Sequence, residues 1–223
     1  MSVANLWAGA RRVLPASGSS PSSAVLLLHG YGSNADDLID LAPELAGSLP
    51  DAVFVSPNAP FSFEMAPFGY QWFSLQSYSP QSLLDGARQA TPCLERMIEE
   101  VGREFSLPLK RMALLGFSQG CMMSLHVAPR LSESLAAVAG FSGALVAPEK
   151  LPAETISRPP VLLVHGQMDP VVPYASLSVS AAALAACGFS VETVSRPLLQ
   201  HGIDGVGLGA AADFLARYLP SPS

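Results

Sequence analysis

Short runs of apolar residues recur along the chain, and longer stretches between them mix apolar and polar positions with helical spacing. Most of the short runs are apolar at every position, which is typical of strands that are covered on both faces. Strands are therefore predicted at residues 25–29, 53–56, 112–117, 135–141, 161–165 and 191–196. Helices are predicted at residues 36–48, 82–104, 119–131, 174–187 and 207–218.

The alternation of strand and helix indicates an α/β fold with a mostly parallel, twisted sheet. Right-handed crossovers between parallel strands are expected to place helices on both faces of this sheet. Pro92 lies inside the second predicted helix and is expected to kink or divide it. At 223 residues the chain is expected to form a single domain, residues 1–223.

Residues 61–78 interrupt this alternation. The segment is rich in aromatic residues, and Pro67 and Gly69 within it argue against a regular helix. Long irregular segments in compact domains are usually functional, so we expect a short aromatic excursion that forms a pocket wall or small lid instead of a full cap domain. The alternative is a loop that only packs on the body. Residues 15–23, rich in Ser, Pro and Gly, are expected to connect a first edge strand to the first central strand.

Composition and charge exclude several classes of function. The chain is 49% hydrophobic and 13% charged, which favours a compact globular protein over a disordered one. The formal net charge is -6 and no basic stripe is present, so a nucleic-acid partner is not expected. No apolar run is long enough to span a bilayer, so stable membrane insertion is not expected either.

The N-terminal sequence and the cysteines predict a cytoplasmic protein. Arg11 and Arg12 follow an apolar stretch instead of preceding one, which does not fit a signal peptide, and the following residues do not fit a twin-arginine signal. The three cysteines, Cys93, Cys121 and Cys187, give neither a disulfide framework nor the spacing of a zinc site. No metal is therefore expected.

The most informative motif is the Gly-Phe-Ser-Gln-Gly sequence at residues 116–120. It directly follows a predicted strand and directly precedes a predicted helix. A G-x-S-x-G sequence at such a junction holds the serine in a sharp turn above the carboxyl edge of the sheet, and the glycines let strand and helix approach. The turn also places Ser118 at a helix N-terminus, where developing negative charge is favoured. Ser118 is therefore predicted to be a nucleophile.

A serine nucleophile needs a base, and the chain has four histidines. His29 and His165 each end a predicted strand and precede glycine, which favours a structural role. His126 lies about two turns into the helix that follows Ser118, too far along the axis to reach it. His201, in a loop between the last predicted strand and the last predicted helix, is therefore the predicted base.

The acid that orients the base is expected between the serine and the histidine in chain order. Asp169 fits, because it follows the predicted strand at residues 161–165. Asp204 is a rival, but its position at the start of the last predicted helix favours a role as a helix cap. The order Ser118, Asp169, His201 is the order of α/β hydrolases. The alternative for Asp169 is a turn residue before a proline.

Two backbone amides are predicted to form the oxyanion hole. One belongs to Gln119, the residue after the nucleophile, and the other to Tyr31 in the glycine-rich loop that follows the first central strand. Their side chains need not take part.

With these motifs in place, the chain resembles the phospholipase/carboxylesterase family, which includes the acyl-protein thioesterases. The resemblance runs from about residue 24 to residue 219 and rests on residues 28–32, 56–60, 72–73, 116–120, 140–143, 165–173 and 201–202. It implies an α/β-hydrolase fold and a cofactor-free, cytoplasmic esterase with the triad and oxyanion donors given above. It also implies an acyl pocket near Trp72, Phe73 and Leu145, and Met168 is a fourth candidate for this pocket.

Two positions depart from the family pattern. Family members commonly carry an aspartate after Trp-Phe, where this chain has Ser74. Tyr31 replaces a leucine that is frequent in the thioesterases, and its larger ring is expected to alter the mouth of the pocket.

The function expected from the sequence is a serine carboxylesterase that hydrolyses short- to medium-chain acyl esters through an acyl-enzyme. The alternatives are a lysophospholipase, an acyl-protein thioesterase and, outside catalysis, a ligand-binding module on a hydrolase scaffold. A dienelactone hydrolase would use a cysteine nucleophile, but Cys121 lies three residues past Ser118 in the helix. Exposed aromatic residues of the 61–78 segment would suit a homodimer interface or a membrane surface.

Overall fold

The computed structural model describes residues 9–219. Its strands are β1 (Arg11–Val13), β2 (Ser23–Leu28), β3 (Ala52–Ser56), β4 (Phe61–Ser62), β5 (Tyr70–Gln71), β6 (Met112–Phe117), β7 (Ala137–Phe141), β8 (Val161–Gly166) and β9 (Val191–Arg196). Its helices are α1 (Ala35–Ile39), α2 (Ala42–Ala46), α3 (Pro80–Phe105), α4 (Gln119–Val127), α5 (Leu151–Glu154), α6 (Ala175–Ala186) and α7 (Gly205–Tyr218). Within residues 9–219, short 3₁₀ turns lie at Leu109–Arg111, Ala128–Arg130 and Pro148–Lys150.

Seven strands form one sheet in the order β1-β3-β2-β6-β7-β8-β9, and β4 pairs with β5 in a separate hairpin. Every pairing in the large sheet is parallel except β1 with β3. The mostly parallel sheet confirms the predicted α/β-hydrolase fold, and β1 confirms the predicted edge strand. The parallel arrangement brings the carboxyl ends of β2, β6, β8 and β9 to one edge, where their following loops meet.

Two apolar cores lie on opposite faces of the sheet. Leu26 of β2 belongs to the core under α3, α4 and α6, whereas Leu27 belongs to the core under α2 and α7. Both side chains are fully buried. Consecutive residues of a strand point to opposite faces, so a strand buried on both must be apolar at every position. This is why the strands read as continuous apolar runs.

The structure corrects three predictions about helices. The predicted helix at residues 36–48 is two short helices, because Pro43 lies in the first turn of α2, where its missing N–H is tolerated. The predicted helix at 119–131 ends at Val127, and Pro129 lies in the 3₁₀ turn that follows. Pro92 does not divide α3, which is continuous from Pro80 to Phe105.

Within residues 9–219, none of the helices combines the length and the apolar composition that crossing a membrane requires.

Candidate active site

Ser118 occupies a strained turn between β6 and α4. Its backbone dihedral angles are φ 53° and ψ -115°, a conformation that side-chain-bearing residues rarely adopt. A Cβ atom on Gly116 would lie 2.4 Å from the carbonyl oxygen of Gly120, and one on Gly120 would lie 2.0 Å from the carbonyl oxygen of Leu28. Both positions of the motif therefore require glycine, since only glycine lets strand and helix pack this closely.

The structure brings Ser118, His201 and Asp169 together in one chain of hydrogen bonds. The Nε2 atom of His201 lies 3.0 Å from Oγ of Ser118, and its Nδ1 atom lies 2.8 Å from Oδ2 of Asp169. A carboxylate only accepts hydrogen bonds, so Nδ1 of His201 donates and Nε2 remains available as the acceptor for the serine hydroxyl. This is the tautomer that a general base requires.

The carboxylate of Asp169 is fully buried and held from both sides. Burial disfavours its charged form, but hydrogen bonds from His201 and from the amides of Val172 and Val171, at 2.9 and 2.8 Å, outweigh burial and lower the pKa of Asp169. Nε2 of His165 lies 3.3 Å from Oδ2 of Asp169. Asp169 therefore stays ionised beside the imidazole of His201.

Two other histidines have structural partners. In His29, Nε2 accepts a hydrogen bond of 2.9 Å from the amide of Ala59, so Nδ1 carries the proton and donates to the carbonyl of Gly30 at 2.7 Å. In His165, Nε2 bonds to the carbonyl of Val172 at 3.0 Å. His29 therefore fixes the beginning of the loop after β2, and His165 fixes the loop that carries Asp169.

Asp204, the rival acid, caps α7. Its Oδ1 atom accepts a hydrogen bond of 2.8 Å from the amide of Gly207, and its carboxylate pairs with Arg196 at 2.9 Å. The first interaction is that of a helix N-cap, as the sequence predicted, and the ion pair with Arg196 is an addition that the structure shows.

The predicted oxyanion donors flank Ser118. Gln119 is the first residue of α4, and amides in the first turn of a helix have no acceptor within it. The turn of residues 30–32 approaches from the other side, since a Cβ atom on Gly30 would lie 3.3 Å from Cβ of Ser118. Two backbone segments thus meet at the serine, and their amides stay the predicted oxyanion donors.

A cavity of about 410 Å³ opens beside Ser118, within the size range of small-molecule sites. Its floor includes Ser118 and His201, and its walls are mainly apolar. Asp37 is the only Asp, Glu, Lys or Arg among the described residues that line it. The apolar wall residues are Tyr31, Leu38, Leu41, Phe117 and Ile203.

The four residues predicted for the acyl pocket do not line this cavity in the described part of the chain. Trp72 and Phe73 are instead fully buried in the core, and the indole N–H of Trp72 donates to the carbonyl of His29 at 3.0 Å. Leu145 lines a separate apolar cavity of about 380 Å³. The side chain of Met168 is exposed. The aromatic pair packs as core because its ring burial stabilises the 61–78 segment against the body.

The side chain of Gln119 joins the 61–78 segment to α4, a role that the sequence did not suggest. Its Oε1 atom accepts a hydrogen bond of 2.8 Å from the amide of Trp72, and its Nε2 atom donates to the carbonyl of Phe73 at 2.8 Å. The side chain of Gln119 is buried together with Trp72 and Phe73. Its two hydrogen bonds therefore satisfy backbone groups of this pair that water does not reach.

Replacing Gln119 with alanine is expected to destabilise the fold by about 2 kcal/mol or more. The substitution leaves the buried N–H of Trp72 and C=O of Phe73 without their partners, and each unpaired buried group costs ~1–3 kcal/mol. Urea unfolding measures the change. Gln89→Ala, at an exposed position of α3, is the control and should stay within ~0.5 kcal/mol of the wild type. An equal, small effect of both substitutions would contradict the prediction.

Cys121 is fully buried next to the elbow, and burial raises the pKa of its thiol to about 12. A thiol that stays protonated at neutral pH is inert, because the thiolate is the nucleophilic form. The structure thus gives no support to a cysteine nucleophile at this position. Among the described residues, no cluster of three or more His, Cys, Asp or Glu side chains is arranged to hold a metal ion.

The chain is similar to several known proteins. A family model described as Phospholipase/Carboxylesterase matches residues 11–219. Acyl-protein thioesterase 1 homolog 1 of Dictyostelium discoideum is 26% identical over 207 residues, which cover 89% of this chain and 92% of that protein. Esterase YpfH of Escherichia coli K12 is 28% identical over 196 residues, which cover 88% of this chain and 83% of that protein. The crystal structure of esterase PE8 has a TM-score of 0.90 at 40% identity, covering 95% of this chain and 99% of that chain.

Proposed function

The chain belongs to the phospholipase/carboxylesterase family and is a carboxylic ester hydrolase, and from this premise we propose that Ser118, His201 and Asp169 form its catalytic triad. The observation that carries the proposal is the unbroken hydrogen-bond chain from Asp169 through His201 to Ser118, at 2.8 and 3.0 Å. The three residues come from three different loops at one edge of the sheet. Packing alone does not require this convergence, whereas nucleophilic catalysis does.

The proposed reaction is a two-step acyl transfer. His201 takes the hydroxyl proton of Ser118 as the oxygen attacks the ester carbonyl, and Asp169 stabilises the imidazolium that forms. The amides of Tyr31 and Gln119 donate hydrogen bonds to the oxyanion of the tetrahedral intermediate. His201 then gives the proton to the leaving alcohol, which leaves an acyl-enzyme on Ser118. Water, deprotonated by His201, attacks this ester in the second step and releases the acid.

A fluorophosphonate probe tests the nucleophile directly. Such a probe phosphonylates only a serine that a neighbouring base activates, so we expect one label per chain, on Ser118, located by mass spectrometry of the digested protein. Prior denaturation should abolish labelling, because it separates Ser118 from His201. An unlabelled folded protein would instead favour a ligand-binding module on a hydrolase scaffold.

The cavity beside Ser118 supports an uncharged substrate with a short or medium acyl chain. Its volume and its apolar walls suit a small ester, and it offers no Lys or Arg among the described lining residues for an anionic group. Lysophospholipids and acylated proteins remain alternative substrates, because the same acyl-enzyme chemistry serves them. A panel of p-nitrophenyl esters of increasing chain length, a lysophospholipid and an acyl thioester would rank these substrates by kcat/KM.

Asp37 is expected to select against anionic esters. Its carboxylate is exposed at the cavity wall, where a second negative charge a few Å away costs about 1 kcal/mol in water, or about fivefold in kcat/KM. Asp37→Asn should therefore raise kcat/KM for mono-4-nitrophenyl succinate about threefold to fivefold at low ionic strength and leave p-nitrophenyl acetate unchanged. The gain should shrink at high salt.

Asp40→Asn is the control for this experiment, because Asp40 is also exposed and close in sequence but does not line the cavity. Equal gains from the two substitutions would show that the general net charge, and not Asp37, sets the preference.

A further inference from the structure

Glu64 connects three parts of the active-site surroundings through one carboxylate. It lies in the β4–β5 hairpin (residues 61–71) and accepts hydrogen bonds from the hydroxyl of Tyr31, from Oγ of Ser74 at 2.6 Å and from the amide of Leu75 at 2.9 Å. Tyr31 belongs to the turn at residues 30–32, and Ser74 and Leu75 follow the buried aromatic pair. The carboxylate therefore ties the turn beside Ser118 to the hairpin and to the core.

The hairpin also touches this turn directly. The amide of Gly32 donates to the carbonyl of Tyr70 at 2.9 Å, and the ring of Phe63 meets the ring of Tyr31 edge-on at 4.8 Å. A Cβ atom on Gly69 would lie 2.2 Å from the carbonyl oxygen of Gly32. The turn thus contacts the hairpin in three ways, through the backbone of Gly32, the ring of Tyr31 and the hydroxyl of Tyr31. A displacement of the hairpin would displace the turn.

The hydrogen bond between Tyr31 and Glu64 is of the strong, charge-assisted kind. Burial alone would raise the pKa of Glu64, but hydrogen bonds from Ser74, Tyr31 and Leu75 lower it to about 2. Burial, followed by the hydrogen bond to Glu64, raises the pKa of Tyr31 to about 12. An ionised acceptor and a neutral phenol donor therefore face each other at every pH between these values.

The two oxygens of the Glu64 carboxylate have different partners. Ser74 donates its hydroxyl hydrogen bond to Oε2, and Tyr31 donates its hydroxyl hydrogen bond to Oε1. The negative charge that faces the Tyr31 hydroxyl thus comes from the hairpin.

We propose that Glu64 is a positioning residue, which acts through the hydroxyl of Tyr31 to hold the backbone amide of Tyr31 in place for the oxyanion. The proposal rests on the proposed function, in which that amide stabilises the tetrahedral intermediate. An oxyanion donor works only when it is fixed in advance at the position where charge develops. The turn contains Gly30 and Gly32, which are flexible by themselves, so contacts from outside the turn hold it. Among these contacts, the hydrogen bond to Glu64 holds the hydroxyl of Tyr31 itself.

Tyr31→Phe, Glu64→Ala and the double variant test the link. Tyr31→Phe keeps the ring and its contact with Phe63 and removes only the hydroxyl. Each single variant is expected to lower kcat for p-nitrophenyl acetate about tenfold, less than the ~10²–10³-fold effect of losing an oxyanion donor outright. KM should change less than about twofold, because the anchor matters mainly when the oxyanion forms. The double variant should be no slower than the slower single variant.

Inhibitor binding separates positioning from a general structural role. A trifluoromethyl ketone forms a tetrahedral adduct with Ser118 that carries an oxyanion, so its affinity should fall in parallel with kcat/KM in both single variants. Glu64→Gln keeps a carbonyl acceptor for the Tyr31 hydroxyl and should recover most of the lost kcat. Glu133→Ala, an exposed glutamate far along the chain, should match the wild type.

The outcomes are distinguishable from those of the proposed function. If Ser118→Ala is inactive while Tyr31→Phe and Glu64→Ala keep kcat and inhibitor affinity within twofold, Glu64 has no positioning role and the triad stands. Additive losses in the double variant would also overturn the proposal, because Glu64 would then act independently of Tyr31. If Ser118→Ala keeps near-wild-type turnover, the proposed function itself is wrong. Circular dichroism and urea unfolding of every variant identify a loss of folded protein.

Discussion

Replacing Ser118 with alanine is expected to lower kcat for p-nitrophenyl acetate by about 10⁶-fold, to the residual rate that the oxyanion donors and substrate binding support. The substitution removes only Oγ. The Cβ atom that packs near Gly30 remains, as does the hydrogen bond of 2.9 Å from the Ser118 amide to the carbonyl of Phe141. The strained backbone at φ 53° is equally open to alanine and serine. We therefore expect the variant to fold normally and to lose the nucleophile alone.

The measurement combines steady-state kinetics with urea unfolding. Ser124→Ala is a matched control, since Ser124 is another buried serine of the same helix region, and its hydroxyl bonds only to the carbonyl of Gly120 at 2.9 Å. It should retain kcat within a few-fold. Near-wild-type turnover by Ser118→Ala would show that another group attacks the ester and that the triad is assigned wrongly.

Much of the fold was predictable because it depends on local pattern. The buried parallel strands are apolar at every position, and β6 and β9 were predicted with the bounds that the structure shows. The Ser118 elbow was predictable for a similar reason, since its two glycines mark close backbone approaches within five residues. The prediction of one helix at residues 36–48 was wrong, although Pro43 stands in its middle.

What the sequence did not show depends on contacts between distant segments. β4 and β5 have two residues each, too few for any periodicity to appear. The aromatic pair Trp72–Phe73 looks alike in sequence whether it lines a pocket or packs in the core. Its rings are buried by packing in the core, and Gln119 bonds to its backbone across 46 and 47 residues. Glu64 was not singled out for the same reason. Its hydrogen-bond partners are Tyr31, well before it in the chain, and Ser74 and Leu75, after it, and no local sequence pattern links these positions.

The role of the 61–78 segment therefore differs from the expected one. It was expected to form a pocket wall or lid. Its buried part instead bonds to Gln119 at the start of α4, and its hairpin packs against the turn at residues 30–32. The two predicted oxyanion donors are thus held by one and the same segment. We expect acyl selectivity to depend instead on the cavity walls, which come from the loop after β2, the adjoining helices and the His201 loop.

Replacing Asp169 with asparagine is expected to lower kcat by about 10⁴-fold while the fold persists. Oδ1 of Asp169 accepts hydrogen bonds from the amides of Val171 and Val172, and an asparagine oxygen can keep both. Its NH₂ group must then face Nδ1 of His201 and donate to it. Donation to Nδ1 places the imidazole proton on Nε2, which can no longer accept the proton of Ser118.

The same orientation turns the new NH₂ group toward Nε2 of His165, which lies 3.3 Å from Oδ2 and itself donates to the carbonyl of Val172. Two donors facing each other should destabilise the variant by about 1–3 kcal/mol, so kinetics and urea unfolding are measured together. Asp204→Asn is the matched control. It changes a carboxylate that caps α7 and pairs with Arg196, so it should lower stability and leave kcat within a few-fold. If the two variants lose activity equally, the loss follows general destabilisation of this loop region, and Asp169 does not set the tautomer of His201.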